Sequence, residues 1–497
     1  MKLKTLQIKN FRCFETLEMD LHEQLTVIVA KNGQGKSSIL DAIQIDLRSF
    51  ICEFDLTNSP DYGIDKNDIR IKANKEQMTR ELPCEIKLYG YSDIKFLNNM
   101  DNIDFLCDYL GLETLPLFLY LEKDGNTNNT HNFLHWELMR FRDNDSQKTK
   151  TRNTVDYKII KDFFNLLQHQ IKNENEPISL PVLSYYGTER FWNQKKLIEN
   201  KRLKKDNDIY MRLFAYRDCL EPESSYKHFS DWFIWLFECY REEQIKQAEK
   251  NIPNTIVVNP FSTWAITISV VQQAINDVLK PEIGWYDLEY SVSDEKSLVL
   301  YHDQLGKLKL EQLSNGIRAI LAMVGDIAYR CIKLNPHLGF NAAKETNGIV
   351  MIDEIELHLH PTWQQSILLN LCNAFPNIQF IVTTHSPQVV STVASEQIRI
   401  LDNGTVHAAP AGIKGAESER ILKQVFGVES RPQNDPNVKL LNEYLDLVYN
   451  DKWNEPDTKE MRVILDIIYQ GNEPALTAAD LHIKNRQLEL ENKENLD

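Results

Sequence analysis

A glycine-containing loop between an apolar segment and an amphipathic segment constrains this chain more than any other feature. Residues 25–29 are apolar except for Thr26, which is the pattern of a strand buried on both faces. Residues 39–47 place apolar side chains at helical spacing, so they predict a helix with one buried side. The loop at residues 30–37 therefore joins a strand to a helix, which is the local order of a phosphate-binding unit.

The residue types in this loop suit a bound nucleotide. Its glycines permit the backbone to approach phosphate oxygens closely, Lys36 would reach the β- and γ-phosphates, and Ser37 would hold Mg²⁺. The helix that begins there adds the positive end of its dipole. The predicted ATP contacts of this segment are Asn32, Gly33, Gly35, Lys36, Ser37 and Ser38.

The loop departs from the G-x-x-x-x-G-K-[ST] pattern at one position. Ala30 stands where the pattern has its first glycine, while Gly35, Lys36 and Ser37 match it. Alanine can occupy that corner if its φ angle stays negative. The distal half of the loop predicts nucleotide binding, and a chance glycine-rich turn is the alternative for the loop taken alone.

A second apolar strand, predicted at residues 349–352, ends in Asp353 and Glu354. An apolar strand that ends in two acids is the Walker B arrangement. Asp353 would hold the same Mg²⁺ as Ser37, and Glu354 would orient or deprotonate the attacking water. Without its context, the pair could also be strand-end carboxylates that cap a helix.

Two further patterns carry less information by themselves. Residues 313–318 offer a phosphate the Ser314 hydroxyl and the free N–H groups of a helix start, and they resemble the ABC signature, in which Ser314 and Gly316 would bind nucleotide. An ordinary serine N-cap is the alternative. His385 follows the strand predicted at residues 378–382; in ABC-type heads a histidine there contacts the γ-phosphate, and a structural histidine is the alternative.

The order of these patterns along the chain resembles that of the ABC-type, SMC/RecF-like ATPase heads. The resemblance implies an α/β P-loop head with a largely helical insertion and a helical C-terminal extension. It also implies that Arg12, which follows the first predicted strand, touches the nucleotide. In such heads the signature meets a γ-phosphate only across an interface between copies. We therefore expect ATP and Mg²⁺ as cofactors, and a homodimer or higher oligomer formed through the ATP sites.

The same order divides the chain into four segments. We expect an N-terminal lobe of the head at residues 1–95, a mostly helical insertion at 96–284, a C-terminal lobe at 285–412 and a helical, partner-docking region at 413–497. Helical spacing predicts helices at residues 155–175, 208–220, 227–250 and 262–280, a strand is predicted at 115–121, and the pattern of residues 285–310 predicts a short meander. No heptad repeat is sustained, so a long coiled-coil arm is not expected. Gln77, just before a predicted strand, is the candidate for a Gln loop.

Residues 356–361 contain a glutamate and two histidines at two-residue spacing. Glu356, His358 and His360 could suggest a metal site. Their position directly after the predicted Walker B strand favours a D-loop instead, and a similar Leu-His-Pro occurs there in several SMC/RecF-like families.

Composition limits the partners. The chain has 56 Lys and Arg against 72 Asp and Glu, so a nucleic-acid contact must be a local patch or belong to a partner. The basic cluster at residues 195–205 is either a solvated face or such a patch. No apolar run approaches the roughly 20 residues that cross a membrane, so we expect a cytoplasmic protein without membrane contact.

A narrower resemblance depends on residues 183–192 and 214–232, with support from 314–326 and 415–432. These segments resemble PtuA, the family of ATPase subunits in Septu and retron-associated anti-phage systems. The resemblance implies a separate HNH nuclease partner of the PtuB type, a retron reverse transcriptase with its multicopy single-stranded DNA, and no nuclease activity in this chain. A RecF-like repair or recombination ATPase, and a head that binds ATP only structurally, are the alternatives.

Overall fold

The computed structural model describes most of the chain, which forms two compact units. The described stretches are residues 1–51, 63–74, 77–93, 121–123, 132–144, 152–153, 178–188, 212–221, 226–250 and 262–494. The first unit is Met1–Ile421 and the second is Leu422–Asp497.

The described elements alternate between strands and helices. The strands are β1 Lys2–Phe11, β2 Phe14–Asp20, β3 Leu25–Ala30, β4 Ile71–Asn74, β5 Gln77–Arg80, β6 Cys84–Asp93, β7 Leu121–Lys123, β8 Asn132–Arg142, β9 Arg152–Asn153, β10 Val182–Tyr186, β11 Trp285–Ser291, β12 Ser297–His302, β13 Gly306–Lys309, β14 Gly348–Ile352, β15 Ile378–Thr384, β16 Ile398–Asp402 and β17 Thr405–Ala408. The α-helices are α1 Lys36–Ile51, α2 Tyr226–Lys250, α3 Thr263–Ile283, α4 Asn315–Leu334, α5 Ala342–Glu345, α6 Pro361–Gln364, α7 Ile367–Ala374, α8 Pro387–Val390, α9 Ser418–Gln424, α10 Pro436–Tyr449, α11 Pro456–Tyr469 and α12 Pro474–Glu494.

A six-stranded sheet in the order β10-β14-β15-β3-β16-β17 lies at the centre of the first unit. All neighbouring strands are parallel except β17, which pairs antiparallel with β16 at the edge. Every residue of β3, β10, β14 and β15 is buried, as expected for parallel strands covered on both faces. The carboxyl ends of β3, β14 and β15 are neighbours, so the loops that follow them share one edge of the sheet.

A second, antiparallel sheet has the order β2-β1-β6-β8-β7, with β9 paired to β8. Helix α1 contacts strands of both sheets: β3 and β15 of the central one, and β6 and β8 of this one. The helix therefore lies between the sheets, and its side chains Ile39, Leu40, Ile43 and Leu47 are fully buried. The start of α1 is fixed in place from two sides.

Several sequence predictions match the described elements. The strands predicted at residues 25–29, 349–352 and 378–382 are β3, β14 and β15, and helices were predicted where α2 and α3 lie. Strand β8 was not predicted, because its buried positions include Arg140 and Arg142 and so hide the alternation of apolar and polar residues. The helix predicted at residues 155–175 lies outside the described residues, as does most of the strand predicted at 115–121.

The helix predicted at residues 208–220 is wrong in its described part. Residues 212–216 form one short 3₁₀ helix, and turns follow it. The carbonyls of this segment accept hydrogen bonds from side chains of neighbouring helices: Leu220 from Gln44 of α1 at 2.5 Å, and Arg217 from Arg330 of α4 at 3.3 Å. Carbonyls used in this way do not need a continuing helix.

Strands β11, β12 and β13 form a separate three-stranded meander ahead of α4, as the sequence predicted. Within the described ranges, no helix has both the length and the apolar character that crossing a membrane would require.

The second unit is helical. Helices α10, α11 and α12 enclose a small core of buried side chains, which are Leu441, Tyr444, Val448, Trp453, Leu465, Leu476 and Ala479. Arg431 and Glu473 form a two-bonded ion pair, with nitrogen-to-oxygen distances of 3.0 and 2.7 Å. On α11, the side chains of Val463 and Ile467 face outward and are 60% and 70% exposed.

Candidate nucleotide site

The loop between β3 and α1 has the backbone conformation that a phosphate cradle needs. Gly33 and Gly35 have φ angles of +78° and +95°, a region that favours glycine. A Cβ atom on Gly35 would lie 2.5 Å from Cys13 Sγ and 2.6 Å from Phe14 Cζ. The turn between β1 and β2 thus packs against the loop too closely for a side chain at this position.

Ala30 is the last residue of β3, so the departure from the P-loop pattern falls on a strand residue. It pairs with Leu401 of the neighbouring strand β16 and does not have a positive φ angle. Alanine carries no backbone strain in that conformation. Its carbonyl accepts a hydrogen bond from Lys36 Nζ at 3.2 Å, which closes the loop on itself.

Lys36 is a buried cation, with 7% of the residue exposed. Burial lowers the pKa of its ammonium group below the usual 10.5, while the carboxylates of Asp353, Glu354 and Glu356 act in the opposite direction. Burial disfavours the charged form of any such group unless a counter-charge is near. A bound phosphate would supply more negative charge and hold the lysine protonated.

Asp353 joins the P-loop to two neighbouring strand ends. The Ser37 hydroxyl donates to its Oδ2 atom at 2.7 Å, and the Thr383 hydroxyl donates to its Oδ1 atom. Its backbone N–H donates to the carbonyl of Tyr186, the last residue of β10, at 2.8 Å. A hydroxyl and a carboxylate in direct contact are the oxygen ligands that Mg²⁺ accepts. Ser37 and Asp353 therefore fit the predicted ion.

Glu354 has an uncommon backbone conformation for its residue type. Its φ angle is +48°, and its N–H donates to the Thr383 hydroxyl at 2.8 Å. A left-handed conformation in a residue other than glycine costs of order 1 kcal/mol and is often retained at functional sites. Thr383, which the sequence did not single out, thus contacts both acids of the pair.

His385 lies directly after β15, at the same edge of the sheet. Its backbone N–H donates to Glu356 Oε1 at 2.5 Å. Burial, followed by the positive charge of Lys36, lowers the pKa of the imidazole below 6.5, and three acids including Glu354 partly oppose this. The imidazole is therefore mainly neutral at neutral pH. Lys36, Asp353 and Glu354 therefore lie close enough to His385 to affect its pKa.

Arg12 lies beside the start of α1, where two carboxylates hold it. Its Nε atom donates to Asp68 at 2.9 Å, and its NH1 atom donates to Asp41 and, at 3.5 Å, to the Ser38 hydroxyl. Tyr185 also donates to Asp41, at 3.1 Å. The sequence gave no signal for Asp41 or Asp68, since single aspartates in a helix and a loop match no motif. Their contacts fix Arg12 within reach of the P-loop helix.

Ser314 is the N-cap of α4 and is exposed. Its side chain accepts a hydrogen bond from the Ile317 N–H at 3.4 Å, as an ordinary cap does. Gly316 is buried, and a Cβ atom there would lie 2.3 Å from the carbonyl oxygen of His358. The predicted signature thus packs on the predicted D-loop of the same chain while Ser314 faces outward.

The remaining candidates are placed as follows. Asn32 is exposed in the P-loop. His360 caps α6, where its ring accepts from the Thr362 N–H. Gln77 begins β5, but its side chain lies outside the described residues. The basic cluster at residues 195–205 also lies outside them.

The parallel sheet, the P-loop between β3 and α1 and the acids at the end of β14 define an ABC-type P-loop ATPase head, which confirms the predicted fold class. The chain belongs to the AAA ATPase domain family, whose model matches residues 1–390.

The resemblance to retron and Septu ATPases is also confirmed. The chain is 29% identical over 529 residues to the Retron Ec83 probable ATPase of Escherichia coli, covering 98% of this chain and 87% of that protein. It is 35% identical to the Septu protein PtuA of Bacillus mycoides (strain KBAB4) over 164 residues, 32% of this chain and 22% of that one.

Among solved structures, an SMC head bound to the C-terminal winged-helix domain of ScpA has a TM-score of 0.40 and 14% identity, covering 82% of this chain and 98% of that one.

Proposed function

We propose that the chain is the ATP-hydrolysing sensor and scaffold subunit of a cytoplasmic anti-phage defence complex. It would hold and gate a separate HNH nuclease of the PtuB type, together with a retron reverse transcriptase and its multicopy single-stranded DNA. The observation that carries the ATPase part is the hydrogen bond from Ser37 to Asp353, because it joins the P-loop to the strand-end acid. The similarity to a retron ATPase along nearly the whole chain supports the defence part.

In the proposed reaction the chain's own groups bind and orient ATP. Lys36 and the backbone N–H groups of the P-loop bind the phosphates, and Ser37 and Asp353 hold Mg²⁺. The ion would neutralise charge on the phosphate oxygens. Glu354 orients or deprotonates the attacking water, and His385 contacts the γ-phosphate.

A second copy would complete each site. Ser314 is exposed at the N-terminal end of the 20-residue helix α4, and the dipole of a helix favours an anion at that end. We propose that Ser314 and Gly316 of one copy bind the γ-phosphate held by the P-loop of another. The closed assembly would then require ATP.

Ser314→Arg is expected to leave ATP binding by the single copy within about threefold and to lower turnover by about 100-fold, the cost of losing one donor to a transition-state oxyanion. The arginine would occupy the space of the γ-phosphate across the interface. Steady-state hydrolysis and light scattering with ATP measure the two effects. Ser293→Arg, at an exposed serine on the meander, is the matched control. Normal turnover in Ser314→Arg would refute the two-copy site.

We propose the second unit as the docking surface for the nuclease. It carries nine Lys and Arg against fifteen Asp and Glu, and it exposes Val463 and Ile467 one turn apart on α11. Contiguous exposed apolar patches mark interaction sites, and these two neighbouring side chains are our candidate for the centre of one. A nuclease that binds nucleic acid is basic on its binding side, so an acidic unit suits it.

Purification of the tagged protein from its native locus tests this function. We expect an HNH nuclease, with the reverse transcriptase and single-stranded DNA, to copurify and to be identified by mass spectrometry and sequencing. Val463→Asp with Ile467→Asp should release the nuclease, whereas Leu305→Asp, on the exposed tip of the meander, should not. A protein that arrives with recombination factors on duplex DNA would instead be a RecF-like repair ATPase. Binding of ATP without turnover would support a structural role for the nucleotide.

A further inference from the structure

Glu356 has both of its carboxylate oxygens engaged by the loop that carries His385. The Thr384 hydroxyl donates to Oε2 at 2.7 Å, and the His385 backbone N–H donates to Oε1 at 2.5 Å. The Thr384 hydroxyl in turn accepts from the Ser386 N–H at 3.0 Å. One carboxylate thus fixes Thr384, His385 and Ser386, which together are called the histidine loop below.

The adjacent residue, Thr383, is tied to a different pair of groups. Its hydroxyl donates to Asp353 and accepts from the Glu354 N–H, and its carbonyl accepts from the Ile355 N–H at 3.1 Å. The end of β15 is therefore joined to the loop after β14 at two successive positions. Thr383 contacts the groups that would act on Mg²⁺ and water, whereas the hydrogen bonds that the Glu356 carboxylate accepts within the described residues come from Thr384 and His385.

The loop after β14, which carries Glu356, also contacts the start of α4. It is held by its own turns, in which the Leu357 N–H donates to the Glu354 carbonyl at 3.0 Å and the Leu359 N–H donates to the Glu356 carbonyl at 2.9 Å. Between them, the His358 carbonyl lies so close to Gly316 that a Cβ atom there would be only 2.3 Å away. The loop after β14 therefore contacts both the residues around His385 and the start of α4.

We propose that Glu356 is a positioning residue for the ATPase reaction: its carboxylate sets the place of the His385 backbone, and hence of the imidazole, relative to the γ-phosphate. The proposal rests on the proposed role of His385. A carboxylate is required because two donors approach one side chain from different directions. Glutamine offers a single acceptor oxygen and no charge, so it can accept from only one of the two donors, and toward the Thr384 hydroxyl it could only donate.

The test compares Glu356→Gln with His385→Ala and the double variant in the full-length protein. We expect Glu356→Gln to lower kcat about tenfold, because the charge that strengthens both hydrogen bonds is lost. The Kd for a non-hydrolysable ATP analogue should stay within about threefold. In the His385→Ala background, Glu356→Gln should have no further effect, because the group it positions is gone. Thr384→Val, which removes one of the two contacts and keeps the carboxylate, should have a smaller effect.

The outcomes separate this inference from the proposed function. Additive losses in the double variant, or an unchanged kcat in Glu356→Gln, would overturn the positioning role while His385 keeps its own. A normal rate in His385→Ala would remove both that role and the positioning built on it. Loss of analogue binding in Glu356→Gln, with the fold intact by thermal unfolding, would make Glu356 a binding residue rather than a positioning one.

Discussion

Lys36→Ala is expected to weaken ATP binding by about 30- to 3,000-fold, the range for truncating one member of a buried charge pair. Only 7% of Lys36 is exposed. Its ammonium group donates to the Ala30 carbonyl and is attracted by the carboxylates of three nearby acids, Asp353, Glu354 and Glu356. In that position it faces a phosphate without competing water, which strengthens the attraction. Calorimetric titration with a non-hydrolysable ATP analogue and Mg²⁺ measures the change. Hydrolysis should fall to background at sub-saturating ATP.

Lys31→Ala is the matched control for this variant, because Lys31 lies in the same loop and is exposed. The affinity of Lys31→Ala for ATP should stay within about threefold, as expected for a screened surface charge.

The pKa of Lys36 predicts a pH dependence of ATP binding. That pKa lies below 10.5 in the free protein, and ATP binds the charged form, so affinity should fall as the pH rises through the lowered pKa. Equal affinity of Lys36→Ala and the unchanged protein would disprove the P-loop assignment.

The central part of the fold was predictable because its signals are local. Strands buried on both faces are mainly apolar, and β3, β14 and β15 fit that pattern apart from Thr26, Gln379 and the two threonines that end β15. Each is followed at once by residues that we propose to bind or act on nucleotide, so position in the sheet and chemistry agree. The P-loop and Walker B patterns predict one Mg²⁺ for Ser37 and Asp353, which are far apart in sequence and are hydrogen-bonded at 2.7 Å.

Strand β8 and residues 212–221 could not be predicted, because their structure depends on contacts with segments that are distant in sequence. Arg140 is 1% exposed within β8, and a buried arginine reads as a surface residue in any periodicity. Residues 212–221 lose their predicted helix to carbonyl contacts with Gln44 and Arg330, which come from helices elsewhere in the chain. Side-chain partners of this kind have no fixed spacing along the chain, so no sequence pattern predicts them.

In the candidate site, too, residues that belong to a motif were predicted and residues that contact them from elsewhere in the chain were not. The P-loop and the acids after β14 have fixed spacing and were found. The residues that hold them are polar side chains with no motif: Asp41 and Asp68 around Arg12, and Thr383 between Asp353 and Glu354. Glu356 was noticed from the sequence, first as a possible metal ligand. From its contacts with Thr384 and His385 we propose a positioning part instead.

Glu354→Gln is expected to lower ATP turnover by about 100- to 10,000-fold, the contribution of a positioned general base. Glutamine has nearly the same shape as glutamate but cannot take a proton from water. The uncommon backbone of Glu354, with φ at +48° and its N–H bonded to Thr383, does not depend on the carboxylate and should persist. The nucleotide contacts of the P-loop are untouched, so ATP binding should stay within about threefold.

Because closing of the two-copy site would depend on intact ATP, this variant should accumulate as an ATP-bound assembly. Light scattering after size exclusion with Mg²⁺ and ATP should show the larger species, and extraction should recover ATP rather than ADP. Combining Glu354→Gln with Lys36→Ala should abolish the assembly, since the trapped species needs bound nucleotide. A normal hydrolysis rate in Glu354→Gln would mean that another group acts on the water, and an assembly that forms without ATP would mean that the contact between copies does not pass through the nucleotide.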